Sequence, residues 1–168
     1  MIETHMMNVI KQDWAANQGN ARSRAIVVLF RAAQGFVRSN ILSKLLLFPV
    51  YLVYRFVVQI FVGFDVPAQT RIGEGLRVFH CHGIVINPGA VIGSNCTLRH
   101  TTTIGNKDDS GGLPSIGDWV DIGCHTVILG DISIADHTTI GAGSVVLSDS
   151  SPHSVMVGVP ARVANKDE

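Results

Sequence analysis

The feature that most restricts this 168-residue chain is a period of six. Every sixth position from Ile86 reads Ile92, Leu98, Ile104, Ser110, Ile116, Ile122, Ile128, Ile134, Ile140 and Val146. Ten of these eleven are Ile, Leu or Val, which make up only 48 of the 168 residues, so chance does not account for the run. Glycine follows the aliphatic residue at Gly93, Gly105, Gly117, Gly123 and Gly141. Period six is the mark of a parallel β-helix built from hexapeptides. Each unit supplies one short strand and a turn, and three units close a coil of 18 residues around a narrow prism. Gly, Asn and Asp after the inward residue permit the turn. A second register, Val66, Ile72, Val78 and Ile84, runs two residues out of phase, which places a two-residue slip near Ile84 to Ile86. Fourteen units make between four and five coils. Ser110 breaks the pattern inside the polar, Gly-rich stretch 106–115, which is expected to leave the prism as a loop.

The chain ahead of this repeat has another character. Three of the 17 glycines (Gly19, Gly35 and Gly63) precede residue 65. Ile26, Leu29, Phe30, Ala33 and Val37 recur at helical spacing, with Arg24, Arg31 and Arg38 between them and a turn at Asn17-Gln18-Gly19-Asn20. The division is therefore a helical region over 1–64, a β-helix over 65–163 and a tail over 164–168. Seventeen of the 22 residues from Ile41 to Val62 are apolar, yet Lys44, Pro49, Arg55 and Gln59 interrupt them. A span needs about 20 mostly apolar residues without a central charge. The run is expected as a core or oligomer-interface helix, with an interfacial helix on anionic lipid as the alternative.

Net charge is zero but uneven: residues 1–64 carry +5 and residues 65–168 carry −5. The acidic second part offers no basic stripe for nucleic acid. Cys81, Cys96 and Cys124 are odd in number and show no Cys-x-x-Cys spacing, which suits a reducing compartment. No signal peptide is apparent, so a cytoplasmic protein is expected. The repeat also pairs two histidines. His80 and His100 lie 20 residues apart, one coil plus the slip, and should share a corner in adjacent coils about 4.8 Å apart. His82, four past Val78, is expected to face inward.

The run Ile116-Gly117-Asp118-Trp119-Val120-Asp121-Ile122-Gly123, with Val157-Gly158-Val159-Pro160-Ala161-Arg162-Val163, resembles the hexapeptide acyltransferase superfamily. Residues 65–163 resemble its serine acetyltransferase family. That resemblance implies a mainly β chain, a left-handed parallel β-helix with an N-terminal α-helical extension. It also implies trimers and acetyl transfer from acetyl-CoA to a hydroxyl. Asp65 falls on the family's catalytic aspartate, at the head of Asp65-Val66-Pro67-Ala68-Gln69-Thr70-Arg71-Ile72-Gly73, and His80 on its catalytic histidine. Two departures matter. Phe79 stands where the family has a carboxylate, and Gly112-Leu113-Pro114 stands where its loop grips serine. The pattern His80…Ile84-Val85-Ile86-Asn87 with Arg99-His100…Thr103-Ile104-Gly105-Asn106 is more similar to the exopolysaccharide branch, the colanic-acid-type acetyltransferases.

A hydroxyl is a weak nucleophile at neutral pH and needs a positioned base. His80 is the expected base and Asp65 the partner that fixes its tautomer. His100, His82 and Phe79 are the expected acceptor-binding residues. Coenzyme A is expected along the coils at Gly105, Asn106, Gly123, Cys124, Gly141 and Ala142, with Arg162 meeting a phosphate. A zinc hydratase on the same prism would need a His-x4-His pair, which positions 80, 82, 100, 125, 137 and 153 do not contain, so no metal is expected. The acceptor is expected to be a saccharide, free or lipid-linked. L-serine and a scaffold without activity are the alternatives.

Overall fold

The computed structural model describes residues 2–108 and 111–164. Fifteen short strands follow three α-helices: α1 (Ile2–Ala16), α2 (Ala21–Arg38) and α3 (Ile41–Val53), which continues as a π-helical stretch, Tyr54–Phe61. β1 (Phe64–Asp65), β4 (Ile84–Ile86), β7 (Thr103–Gly105), β10 (Val127–Leu129) and β13 (Val145–Val146) form one parallel sheet. β2 (Arg71–Ile72), β5 (Val91–Ile92), β8 (Ser115–Ile116) and β11 (Ser133–Ile134) form the second. The third holds β3 (Arg77–Phe79), β6 (Thr97–Arg99), β9 (Asp121–Ile122), β12 (Thr139–Ile140), β14 (Val155–Gly158) and the antiparallel end strand β15 (Ala161–Val163). This is a parallel solenoid of about five turns.

Each turn of the solenoid stacks its aliphatic residue on the one below. Ile72, Ile92, Ile116 and Ile134 line one wall, and Val78, Leu98, Ile122, Ile140 and Met156 line another, each at most 8% exposed. The registers show where the repeat departs from 18. Val78 pairs with Leu98, 20 residues on, whereas Ile86 pairs with Ile104, 18 on, so the slip lies between these pairs. Leu98 pairs with Ile122, 24 on, because the loop 106–115 adds six residues to its coil. Ser110 lies outside the described residues, as do positions 165–168 of the tail. One corner is turned by Asn95, Trp119, His137 and His153, all near φ +59, and the last three rings stack in a column.

The first coil would present open strand edges, which invite pairing with other chains. Helices α1 and α2 close them with side chains. Asp13 accepts from the Leu76 N–H, and Asn17 accepts from the Val78 N–H while donating to the Leu76 carbonyl. Arg31 donates to the carbonyls of Ile72 and Gly73, and Gln34 to that of Thr70. Arg31 is only 2% exposed and pairs with Asp13 at 2.7 Å, so the buried charge is compensated. Phe30, Tyr54 and Phe64 plug the open end of the prism, with ring centroids 5.9 and 6.2 Å apart. Burial pushes the Tyr54 hydroxyl far above its ordinary pKa, and the neighbouring Asp65 charge adds to the shift. The hydroxyl therefore stays protonated and donates to the Val66 carbonyl.

Helix α3 corrects one sequence expectation. None of its residues is buried, and Ile41, Leu42, Leu45 and Leu46 are 76–84% exposed. The core-helix reading fails because α3 packs on α2 alone, through contacts such as the stacked Phe36–Tyr51 pair at 4.3 Å. Only its π-helical continuation reaches the prism, through Tyr54, Val58 and Gln59.

Candidate active site

The corner between the third sheet and the first gathers the sequence-selected histidines. His80 leaves β3 with φ +51, a left-handed conformation that swings its ring away from the prism. His100 sits one coil on, and the two rings meet edge to face with centroids 5.6 Å apart. The column continues to His125, whose ring lies 5.1 Å from that of His100. Sequence reasoning gave His125 no role. Its register is hidden by the six loop residues, which make the step from His100 to His125 look unrelated to the repeat.

His82 is a correction. It is exposed, with Nδ1 3.1 Å from the Val62 carbonyl oxygen, and Cys81 is the residue that faces inward, fully buried. The cause is the slip itself. The His82 N–H folds back onto the His80 carbonyl at 2.6 Å, so two extra residues are absorbed in a tight turn and the alternation reverses. His82 then stacks beneath His100 in the main-chain ladder, Thr101 N–H donating to its carbonyl.

Asp65 lies on β1, where it pairs with Val85. Its Oδ1 accepts from the Gln59 amide at 3.1 Å, and Arg55 donates to the same Gln59 side chain at 3.1 Å. No hydrogen bond or ion pair joins Asp65 to His80 among the described residues. Catalytic hydrogen bonds are often longer before substrate binds. Gln59 is a polar residue only 7% exposed, and nothing in the repeat pointed to it. Phe79 lies between the guanidinium groups of Arg77 and Arg99, 4.5 and 5.5 Å from its ring centre. Arg99 is in turn held by Asp121.

The expected coenzyme residues divide among three places. Cys124 and Ala142 continue the His100 column, since His125 N–H donates to His100 and Gly143 N–H to Cys124. Gly123 and Gly141 precede them. A Cβ at Gly123 would lie 2.5 Å from the Ala142 nitrogen, and one at Gly141 2.7 Å from Val157 Cγ1, so both coils pack too closely for a side chain. Gly105 and Asn106 belong to the next corner, where Asn106 donates to the Asp108 carbonyl at 2.7 Å and accepts from Asn87. Arg162 is exposed on the terminal hairpin.

A histidine base beside a second histidine, above a ladder of small residues, suits proton transfer next to an extended cosubstrate. No family model matches the chain. A candidate colanic acid biosynthesis acetyltransferase of Escherichia coli K12, WcaB, is 35% identical over 156 residues, covering 90% of this chain and 96% of the relative. The chain belongs to the hexapeptide-repeat acetyltransferases. The serine acetyltransferase of Escherichia coli K12 is 39% identical over 106 residues, but only 39% of its length is covered. Among solved structures, the soybean serine acetyltransferase apoenzyme matches with a TM-score of 0.77 and 29% identity, over 95% of this chain and 69% of that one. The Brucella abortus serine acetyltransferase in complex with coenzyme A matches with a TM-score of 0.71 and 26% identity, over 95% and 66%. These neighbours give the solenoid its hand: it is the left-handed β-helix of the acetyltransferases, and the chain is an acetyltransferase enzyme.

Proposed function

We propose that the protein moves an acetyl group from acetyl-CoA to a saccharide hydroxyl in the assembly of an exopolysaccharide or capsule. What supports this most is length. Nearly the whole chain aligns with nearly the whole of the colanic acid relative, while the serine enzyme matches only over the β-helix. The pocket chemistry agrees, because Phe79 between two arginines offers no carboxylate to a substrate ammonium group. His80 takes the proton of the acceptor hydroxyl as its oxygen attacks the thioester carbonyl. The same proton passes to the departing thiolate, so no covalent enzyme intermediate is required. Asp65, held by Gln59, turns to the other ring nitrogen of His80 and steadies the imidazolium. His100 and His82 contact the acceptor, and the coenzyme lies along Cys124, Ala142 and the two crowded glycines, with Gly105, Asn106 and Arg162 at its far ends.

The acting form is a homotrimer on the cytoplasmic side of the membrane, with the helix Ile41–Phe61 lying in the lipid surface. Its length and hydropathy suffice for a span, with 11% of the most apolar window buried. Crossing would pull Tyr54, Val58 and Gln59 off the prism, so an in-plane position fits better. Residues 14–64 hold six basic and no acidic side chains, a charge that suits anionic lipid. A lipid-linked oligosaccharide acceptor would be held at that surface.

Thiol release from acetyl-CoA tests the reading. Turnover should be far faster with a saccharide repeat unit than with L-serine; efficient turnover of sub-millimolar serine would return the cysteine-synthesis reading. Light scattering should give a trimer, and a strict monomer would remove it.

A further inference from the structure

His100, Cys124 and His125 each present a ligand atom, and these three atoms lie within 4.8 Å of one another. The first two are half-buried and the third exposed. Sequence spacing argued only against a His-x4-His hydratase; the solenoid builds a different donor set by stacking one coil on the next. A second observation points the same way. His100 Nδ1 is buried and has no hydrogen-bond partner, although buried polar atoms are normally satisfied. Two imidazoles and a thiolate, with no carboxylate, select a borderline-soft cation over magnesium or calcium. Zinc bonds of about 2.0–2.1 Å to nitrogen and 2.3 Å to sulfur hold tetrahedral ligand atoms about 3.3–3.6 Å apart. Modest side-chain rotations close the set to that size. Three protein ligands leave the fourth position open.

We propose that His100, Cys124 and His125 form a zinc site, and that its occupation stops acetyl transfer. Binding would draw His100 away from His80, whose ring it now touches edge to face, and would seat a cation on the Cys124 turn. Sub-micromolar free zinc would thus act as a brake released by a chelator. The inhibitory half rests on the acetyltransferase reading; the metal site does not.

Cobalt(II) substitution separates the two. Titrating the purified full-length protein with cobalt chloride should give one ion per chain. It should also show a thiolate-to-cobalt charge-transfer band and the intense visible bands of a tetrahedral centre. The charge-transfer band should vanish in Cys124→Ser and persist in Cys81→Ala, whose thiol is buried inside the prism. His125→Asn keeps a residue that tolerates φ +58. It should bind cobalt at least ~10-fold more weakly, retain metal-free acetyl transfer and resist zinc by the same factor. A cobalt complex without the thiolate band, or a band that survives Cys124→Ser, overturns the site. So does an unchanged cobalt affinity in His125→Asn. Zinc that binds wild-type protein yet leaves its rate unaltered overturns the brake alone.

Discussion

Helices α2 and α3 are neighbours of similar apolar content that meet opposite fates. α2 buries Ile26, Val27, Phe30 and Ala33 and even its Arg31 and Gln34, because the first coil has both an open prism and unpaired edge groups to offer. α3 buries nothing, although its leucines would each gain about 1.5–3 kcal/mol from leaving water. The solenoid has been capped by the time α3 begins, so no intramolecular surface remains for it. Apolar content says that a face needs a partner. The open edges of the fold decide whether the partner lies inside the molecule, and for α3 it lies outside.

Substitutions at the two helices should therefore read out in different experiments. Arg31→Leu removes one member of a buried ion pair and leaves Asp13 and two edge carbonyls without their donor. A loss of about 3–5 kcal/mol is expected in denaturant unfolding; a change below 1 kcal/mol would mean that the edge is closed some other way. The paired change Leu45→Ser and Leu46→Ser on the exposed face should leave unfolding within ~0.5 kcal/mol per site. The same variant should lose roughly 10–100-fold in co-sedimentation with anionic vesicles, in line with two leucines withdrawn from the interface. Equal vesicle binding, or a collapse in stability, would erase the contrast between the helices.

Where α3 runs into the π-helical stretch the two behaviours meet, because Arg55 is exposed while Gln59 holds Asp65. Gln59→Leu should slow acetyl transfer by about 10-fold through kcat with KM for acetyl-CoA unchanged, as expected of a misplaced orienting carboxylate. A shifted pH–rate profile should accompany it, and an unaltered profile would remove the positioning role. The smallest effect concerns Cys96. Burial raises its thiol to about 11, so at pH 8 roughly one molecule in a thousand is thiolate. Maleimide labelling should spare Cys96, and rapid modification there would show that the prism opens.

The solenoid was legible because its information is local. An aliphatic residue every six positions, a glycine after it and a slip of two give the walls, their register and the meeting of His80 with His100. The cap was not legible, since Asp13, Asn17, Arg31 and Gln34 bond to backbone groups 36–63 residues away. A backbone carbonyl carries no sequence signal. His82 was misread because the slip falls in its own turn, and His125 was missed because an insertion of unknown length precedes it. The serine-enzyme departures at Phe79 and Leu113 were readable by residue type alone, whereas the arginines flanking Phe79 come from its own strand and the next coil.

The central claim is that His80 is the base for direct acetyl transfer to a hydroxyl. Its most direct measurement is the single-turnover rate of His80→Ala with acetyl-CoA and a saccharide acceptor, alongside the affinity for coenzyme A. The rate should fall by ~10²–10⁴ while coenzyme affinity stays within a few-fold of wild type. A His80→Ala enzyme that transfers acetyl at the wild-type rate would contradict the account.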